Sequence, residues 1–128
     1  MPNEKITTAD LMPPRGFYSH GVRNGRFVFI SGQLPINRDG ELVGKSAGEQ
    51  AEQALGNVQA VLAAAGAGWE HLCQVTIYIS DISEWPEVNA VYERRLRDLR
   101  VPPSRAIVPT KELHYGAHVE IQAIACLE

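Results

Sequence analysis

The sequence predicts a single α+β domain in which two helices cover one face of a sheet, with the element order β-β-α-β-α-β-β. Strand-like apolar segments occur near both ends of the chain and between two stretches with helical spacing. The chain has 128 residues, 45% of them hydrophobic, which is enough for one buried core. Since no repeat or linker divides the chain, we expect one domain over residues 14–128. The preceding residues 1–13 are mostly polar, and we expect them to form a loose lead-in.

The first two strands are predicted to form a β-hairpin. The segments 17–22 and 26–31 are rich in strand-forming residues and flank Asn24-Gly25. Asn-Gly is typical of a type I′ turn, because both residues tolerate positive φ. We therefore place the turn at this dipeptide.

An amphipathic helix follows the hairpin. Ser46 and Glu49 have the spacing of a capping box, and apolar residues recur at helical spacing from Ala51 to Ala65. Gly66 fits the position just after the last helical turn. These signals predict a helix that begins after Ser46 and ends before Gly66.

The second half of the domain repeats the pattern of strand and helix. Residues 72–80 alternate as in a half-buried strand, and Ser83 is a candidate N-cap for a second helix with Pro86 in its first turn. Pro102-Pro103 ends that unit, and residues 105–108 form a short strand.

The last strand, residues 117–126, places polar side chains opposite an apolar face. Glu120 and Gln122 alternate with Val119, Ile121 and Ala123. Polar groups in the middle of a strand need water, a ligand or a partner chain. We therefore expect the second face of the sheet to form an oligomer interface with a hydrated cleft.

Composition disfavours several classes of function. The formal net charge of −3 provides no general field for nucleic acid phosphates. The cluster Arg94, Arg95, Arg97 and Arg100 is typical of a solvated helix face. The N-terminal residues do not resemble a signal peptide and no stretch is apolar enough to span a membrane, so we expect a cytoplasmic protein. Cys73 and Cys126 are then expected to be buried free thiols.

Motifs for common active sites are absent from the sequence. It contains no phosphate-binding or dinucleotide-binding glycine loop and no nucleophile elbow. The histidines at 20, 71, 114 and 118 lack neighbours at metal-ligand spacing, so no metal is expected. Arg105 and Glu120 remain as candidates. Position alone is compatible with a structural ion pair or with an arginine that binds a carboxylate.

Several segments together resemble the Rid (reactive intermediate deaminase, YjgF) family in order and spacing. They are SGQLP (31–35), EQAEQALGNVQAVLAAAG (49–66), VTIYISDISEWPEVNAVYE (75–93), PSR (103–105) and VEIQAIA (119–125). The resemblance covers roughly residues 14–126. It implies a chorismate-mutase-like fold in a homotrimer, whose sheets form a central barrel with ligand clefts between subunits.

The resemblance also implies an activity and a site. RidA-type members hydrolyse reactive enamines and imines such as 2-aminoacrylate to 2-keto acids and ammonium, without a cofactor. Arg105 matches the arginine that binds the substrate carboxylate, and Glu120 matches the carboxylate associated with the attacking water. The resemblance implies that Tyr18 is catalytic together with Arg105 and Glu120, and that Ser31, Gly32 and Asn89 bind the substrate in the cleft.

The chain departs from the family pattern at Phe17, His114, Gln122 and Arg94-Arg95. His114 replaces a common proline, so we expect its loop to line the cleft and His114 to contact the substrate. This leaves the size of the substrate open, including a 2-aminomuconate-type compound. Two other functions stay open: a non-catalytic trimer that senses small carboxylates, and an endoribonuclease using His20 and His118.

Overall fold

The structure is a computed structural model that describes residues 2–128, and it contains one six-stranded sheet with two α-helices packed on one face. The elements are β1 (Glu4–Ile6), β2 (Gly21–Asn24), β3 (Phe27–Gln33), α1 (Ala47–Ala64), β4 (Leu72–Ile79), α2 (Trp85–Leu96), β5 (Ser104–Pro109) and β6 (Val119–Cys126). The strand order is β1-β2-β3-β6-β4-β5, and only the β4–β5 pair is parallel. The predicted α+β class is confirmed, but the element order has one strand more than expected.

The additional strand lies in the segment predicted as a loose lead-in. β1 pairs antiparallel with β2, and Ile6 and Leu11 are both buried in the core. The prediction of a loose segment is therefore wrong for residues 4–6. A strand of three residues is too short to show a period of two, and its pairing with β2 is a tertiary contact that the local sequence does not encode.

The predicted hairpin forms, but its first strand and its turn differ from expectation. β2 covers 21–24 rather than 17–22, and Phe17 is fully exposed. Asn24 pairs with Phe27, so the two-residue loop is Gly25-Arg26. Only Gly25 has positive φ, at 59°, which matches a type II′ turn with glycine first rather than type I′.

Helix α1 begins and ends as predicted. The Ser46 side chain accepts a hydrogen bond from the Glu49 backbone N–H, and the Glu49 carboxylate accepts one from the Ser46 N–H, both at 3.1 Å. Gly66 follows the helix with φ 76°. The α1 residues that pack on the sheet are fully or almost fully buried: Ala51, Ala54, Leu55, Val58, Val61 and Leu62.

Helix α2 begins at Trp85, one residue later than an N-cap at Ser83 implies. Ser83 lies within a 3-10 turn, Ile82–Glu84, and the Asp81 side chain accepts the Ser83 N–H at 3.0 Å. Pro86 is in the first turn of α2, as expected. Ser83 is therefore not the N-cap of α2, because the chain makes a tight turn before the α-helical turns start.

Strands β4 and β6 show the predicted alternation. Val75, Ile77 and Ile79 are buried against the helices, as are Val119, Ile121, Ala123 and Ala125 on the neighbouring strand. Cys73, however, is exposed rather than buried. The β4–β6 register shifts between Leu72 and Gln74, and this bulge takes Cys73 out of the alternating pattern. Cys126 is half-buried, and neither thiol forms a disulfide.

The face of the sheet opposite the helices is uncovered in the single chain. Phe27 and Phe29 are each 45% exposed, and their ring centroids are 6.5 Å apart. The sheet is open, with β1 and β5 at its edges. The expected closure of several sheets into a barrel therefore remains a prediction about the assembly.

Candidate functional site

A cavity of about 190 Å³ lies beside the end of β3. Its polar wall comes from the segment before β2, from β3 and from the turn before β6. Residues in that wall are Arg15, Tyr18, His20, Gly32, His114 and Tyr115. Three of the predicted site residues, Tyr18, Gly32 and His114, therefore lie together in one cavity.

Ser31 and Gly32 occupy an irregular part of the β3–β6 pairing. The register shifts between Ile30 and Gln33, so the two residues bulge from the ladder. The Ser31 hydroxyl donates to the Ser19 carbonyl at 2.6 Å, which ties β3 to the segment carrying Tyr18. Bulges commonly re-aim side chains next to active sites, and this one brings the Gly32 backbone to the cavity.

Glu120 lies directly over Gly32. A Cβ atom added at Gly32 would fall 2.6 Å from Oε2 of Glu120, so the carboxylate fits only because residue 32 has no side chain. Burial raises the pKa of Glu120 above its ordinary value of 4.5, and the nearby His114 partly offsets this rise. A carboxyl group with a raised pKa is suited to exchanging protons with a bound water.

Tyr18 is one of the exposed residues in the cavity wall. Its side chain is about half exposed and lines the cavity, while its backbone N–H donates to the Gly16 carbonyl at 3.0 Å. No hydrogen bond involves its phenol among residues 2–128. The hydroxyl is therefore available to a ligand.

Arg105, on β5, is held by three side chains of α2. Its Nη1 donates to Oδ1 of Asn89 at 3.0 Å, and its guanidinium carbon lies 4.9 Å from the ring centroids of both Trp85 and Tyr92. The Asn89 amide is oriented by donating to Glu93 at 2.9 Å. Arg105 is thus fixed in place by aromatic and amide contacts.

No carboxylate of residues 2–128 forms a salt bridge with Arg105. The interpretation of Arg105 and Glu120 as a structural ion pair is therefore wrong for the single chain. By contrast, Arg94 and Arg95 both bind Glu52, at 2.9 and 2.8 Å, so part of the basic cluster has a structural role. The exposed guanidinium of Arg105 keeps donors free for an external carboxylate.

Arg105 and Glu120 lie on opposite faces of the sheet within one chain. Arg105 is in register with buried Val75 and contacts α2, whereas Glu120 is in register with Tyr78 on the open face. Two strand spacings of about 4.8 Å and three residues of about 3.3 Å put their Cα atoms about 14 Å apart. One chain alone does not bring these two groups onto one small ligand.

The two histidines proposed for ribonuclease chemistry both form hydrogen bonds within the chain. His20 accepts the Thr8 N–H at Nδ1 and donates from Nε2 to the Met12 carbonyl, so both ring nitrogens are occupied. His118 bonds Glu84 at 2.7 Å. Within residues 2–128 no group of three or more His, Cys, Asp or Glu side chains has the arrangement of a metal site.

Sequence reasoning missed several residues of the site. Trp85, Asn89 and Tyr92 lie at helical spacing on one face of α2. That pattern could have identified these three side chains as a group that contacts one ligand or side chain, here Arg105. Arg15 and Tyr115 lie 100 residues apart, yet the Arg15 Nη1 donates to the Tyr115 hydroxyl at 3.3 Å. No local pattern in the sequence indicates that contact.

The fold and these side chains define a small α+β domain with an exposed arginine held against α2 and a half-buried acid on the opposite face of the sheet. The family model for Endoribonuclease L-PSP matches residues 8–127. The chain belongs to this family, which includes the Rid, YjgF and RutC proteins. Neither α-helix within residues 2–128 has the length and apolar character required to cross a membrane.

The similarity to curated relatives extends over almost the whole chain. A RutC family protein of Aquifex aeolicus is 43% identical over 122 residues, covering 94% of this chain and 97% of the relative. A 2-iminobutanoate/2-iminopropanoate deaminase of Bos taurus is 36% identical over 121 residues, covering 94% of this chain and 87% of the relative.

Solved structures share the fold closely. Escherichia coli TdcF with bound serine has a TM-score of 0.92 at 31% identity, covering 98% of this chain and 99% of that one. A protein of the Rid family from Yersinia pestis, YyfA, has a TM-score of 0.93 at 33% identity, covering 98% and 99% respectively.

Proposed function

We propose that this protein is a cofactor-independent deaminase that hydrolyses 2-enamine and 2-imine carboxylates of the 2-aminoacrylate type to 2-keto acids and ammonium. The observation that carries the proposal is the state of Arg105, which is held between two aromatic rings and Asn89 and has no carboxylate partner among residues 2–128. The name of the bovine relative supports the same chemistry.

The reaction requires few protein groups. An enamine that gains a proton at its β-carbon becomes an iminium, whose C2 is already electrophilic. Arg105 binds the substrate carboxylate, while Glu120 orients a water and accepts one of its protons as the oxygen bonds to C2. Glu120 then returns that proton to the amine nitrogen of the carbinolamine. The C–N bond breaks as the C2 hydroxyl becomes a carbonyl and gives its proton to the departing ammonia, so a 2-keto acid and ammonium remain.

Assembly of several chains is part of the proposal. Because Arg105 and Glu120 lie on opposite faces in one chain, we place the reaction cleft between subunits, with Arg105 from one chain and Glu120 from its neighbour. The exposed rings of Phe27 and Phe29 support burial of the open face in an oligomer. We expect a homotrimer whose sheets form a central barrel.

The proposal is tested by generating 2-aminoacrylate with a serine dehydratase and following pyruvate formation. The wild type is expected to accelerate hydrolysis, and Arg105→Ala to lower kcat/KM at least about 100-fold, because two charge-assisted hydrogen bonds are lost. Arg97→Ala, at an exposed arginine on the C-terminal end of α2, is the control and keeps wild-type activity. Full activity of folded Arg105→Ala, or no acceleration by wild type, contradicts the proposal.

A second candidate is a non-catalytic sensor that uses the same cleft. The TdcF structure with bound serine favours it, since that relative binds a small molecule with a carboxylate. This candidate predicts 2-keto acid binding that depends on Arg105, without turnover. Titration calorimetry beside the pyruvate assay separates it from the deaminase.

The endoribonuclease candidate loses one of its two proposed histidines. Both ring nitrogens of His20 are occupied, whereas His118 uses only Nδ1, in its bond to Glu84. RNA cleavage by purified protein that disappears in a His20/His118 double alanine variant would restore it.

A further inference from the structure

A second basic side chain, Arg15, lines the same cavity as Gly32, the residue over which Glu120 lies. Its Nη1 donates to the Tyr115 hydroxyl at 3.3 Å, and its Nη2 donates to the Gly40 carbonyl at 3.4 Å. Its guanidinium carbon also lies 5.5 Å from the centre of the Tyr115 ring. These contacts hold the exposed guanidinium beside the cavity wall.

The turn that carries Tyr115 is strained. Tyr115 has φ 61° and is the only non-glycine residue with positive φ among residues 2–128, and Gly116 follows with φ 70°. The His114 and Tyr115 rings meet edge to face at 4.1 Å. A strained backbone conformation is kept only where the surrounding structure holds it in place, and such residues are concentrated at ligand sites. Here the strain presents two polar aromatic rings to the cavity.

Arg15 lacks an anionic partner within the described part of the chain. No carboxylate there forms a salt bridge with it, whereas Arg94 and Arg95 share Glu52. A guanidinium has five N–H donors, and the contacts above use two. The others remain for a bound anion.

The cavity contains more space than a small imine requires. Its volume of about 190 Å³ exceeds what the methyl or ethyl tail of a three- or four-carbon substrate fills. A longer substrate whose C2 lies near Glu120 would extend its tail towards the wall formed by Arg15, His114 and Tyr115.

We propose that Arg15, with His114 and Tyr115, binds a second anionic group on the substrate, so that the preferred substrate is the imine or enamine of a 2-keto dicarboxylate. This inference rests on the proposed function, in which Arg105 binds the carboxylate next to C2. The bond changes are the same: water oxygen adds to C2, the C–N bond breaks, and ammonium leaves. Arg15 is then a specificity-determining residue that acts at the far end of the substrate.

The first test is calorimetric titration with two product keto acids, 2-oxobutanoate and 2-oxoglutarate. The wild type is expected to bind 2-oxoglutarate at least about tenfold more tightly, because one further charge-assisted contact forms. Arg15→Ala, with Arg15→Gln as a second variant, should remove that preference and change 2-oxobutanoate binding less than about twofold. Arg97→Ala is the matched control.

The second test uses turnover of 2-iminobutanoate and 2-iminoglutarate, each generated in place by an amino-acid oxidase. The inference is overturned if the wild type binds the two keto acids with equal affinity, or if Arg15→Ala weakens the binding of both by the same factor. Either result counts even if 2-iminobutanoate is hydrolysed. Arg15-dependent binding of 2-oxoglutarate with no turnover of either imine overturns the deaminase proposal and leaves this binding site standing. No binding of either keto acid contradicts both.

Discussion

The contact between Gly32 and Glu120 makes Gly32→Ala the most informative single substitution. The added Cβ would lie 2.6 Å from Oε2, 3.1 Å from Cδ and 3.3 Å from Cγ of Glu120. All three distances are shorter than ordinary van der Waals contacts of about 3.5–4.0 Å between carbon atoms. The whole Glu120 side chain must therefore rotate away from its position.

The expected effect is on catalysis rather than on folding. The Glu120 carboxylate is the end of a flexible side chain and Gly32 is exposed, so we expect the free energy of unfolding to change by no more than about 1 kcal/mol. Displacing a carboxylate that orients the attacking water should lower kcat/KM by about 100-fold or more. The assay is keto-acid formation from 2-iminobutanoate or 2-aminoacrylate, with urea unfolding measured on the same preparation.

The matched control is Gly56→Ala. Gly56 lies inside α1, and the only atom within reach of an added Cβ is Nη2 of Arg95 at 4.0 Å. This variant should keep wild-type activity and be more stable by about 0.5–1 kcal/mol, because alanine favours helix interiors over glycine. A folded Gly32→Ala protein with wild-type kcat/KM would refute the role of Glu120 at this position.

Two further predictions concern titration and an unsatisfied hydroxyl. Burial raises the folded-state pKa of Glu120 above 4.5, so stability falls as pH rises through the window between 4.5 and that value. Glu120→Gln should therefore be more stable than wild type at pH 7 and lose that advantage below the window, as measured by urea unfolding; a less stable variant at pH 7 argues against a desolvated carboxylate. The Tyr92 hydroxyl is buried and has no hydrogen-bond partner among residues 2–128, so Tyr92→Phe should raise the free energy of unfolding by about 1 kcal/mol while keeping the ring against Arg105. A loss of stability in thermal or urea unfolding would show that the hydroxyl has a partner in the assembled protein.

The elements that show a regular hydrophobic periodicity over many residues were predictable from the sequence. α1 and the alternating strands β4 and β6 are confirmed because each buries one face that the periodicity marks directly. The capping box of Ser46 and Glu49 depends on residues three apart, so it is also visible locally.

Features that depend on pairing between distant segments were not predictable. β1 forms only because the edge of β2 accepts it, and Cys73 is exposed because the β4–β6 register shifts beside it. Asn24-Gly25 carries the signal of a type I′ turn, but the strand pairing moves the loop by one residue to Gly25-Arg26. In each case hydrogen bonding across strands outweighs the local preference.

In the candidate site, too, some features were predictable from the local sequence and others depend on contacts between distant segments. Arg105 and Glu120 are identifiable by their spacing within the family resemblance, but their placement on opposite faces follows only from the sheet register. The contact of Glu120 with Gly32 depends on a bulge in β3, and the contact of Arg15 with Tyr115 joins the two ends of the domain. Local patterns carry no information about either contact.

The shared cleft is tested most directly by mixing two inactive variants, Arg105→Ala and Glu120→Gln. The two chains carry different tags, are unfolded together, refolded at equal amounts and purified as mixed oligomers through both tags in turn. If Arg105 and Glu120 act from neighbouring chains, every mixed trimer that passes both tags has both native residues in about one cleft of three. We therefore predict that 2-aminoacrylate hydrolysis returns to about a third of the wild-type rate. Mixed oligomers as inactive as each parent, beside an active wild type, would contradict a cleft built from Arg105 and Glu120 of different chains.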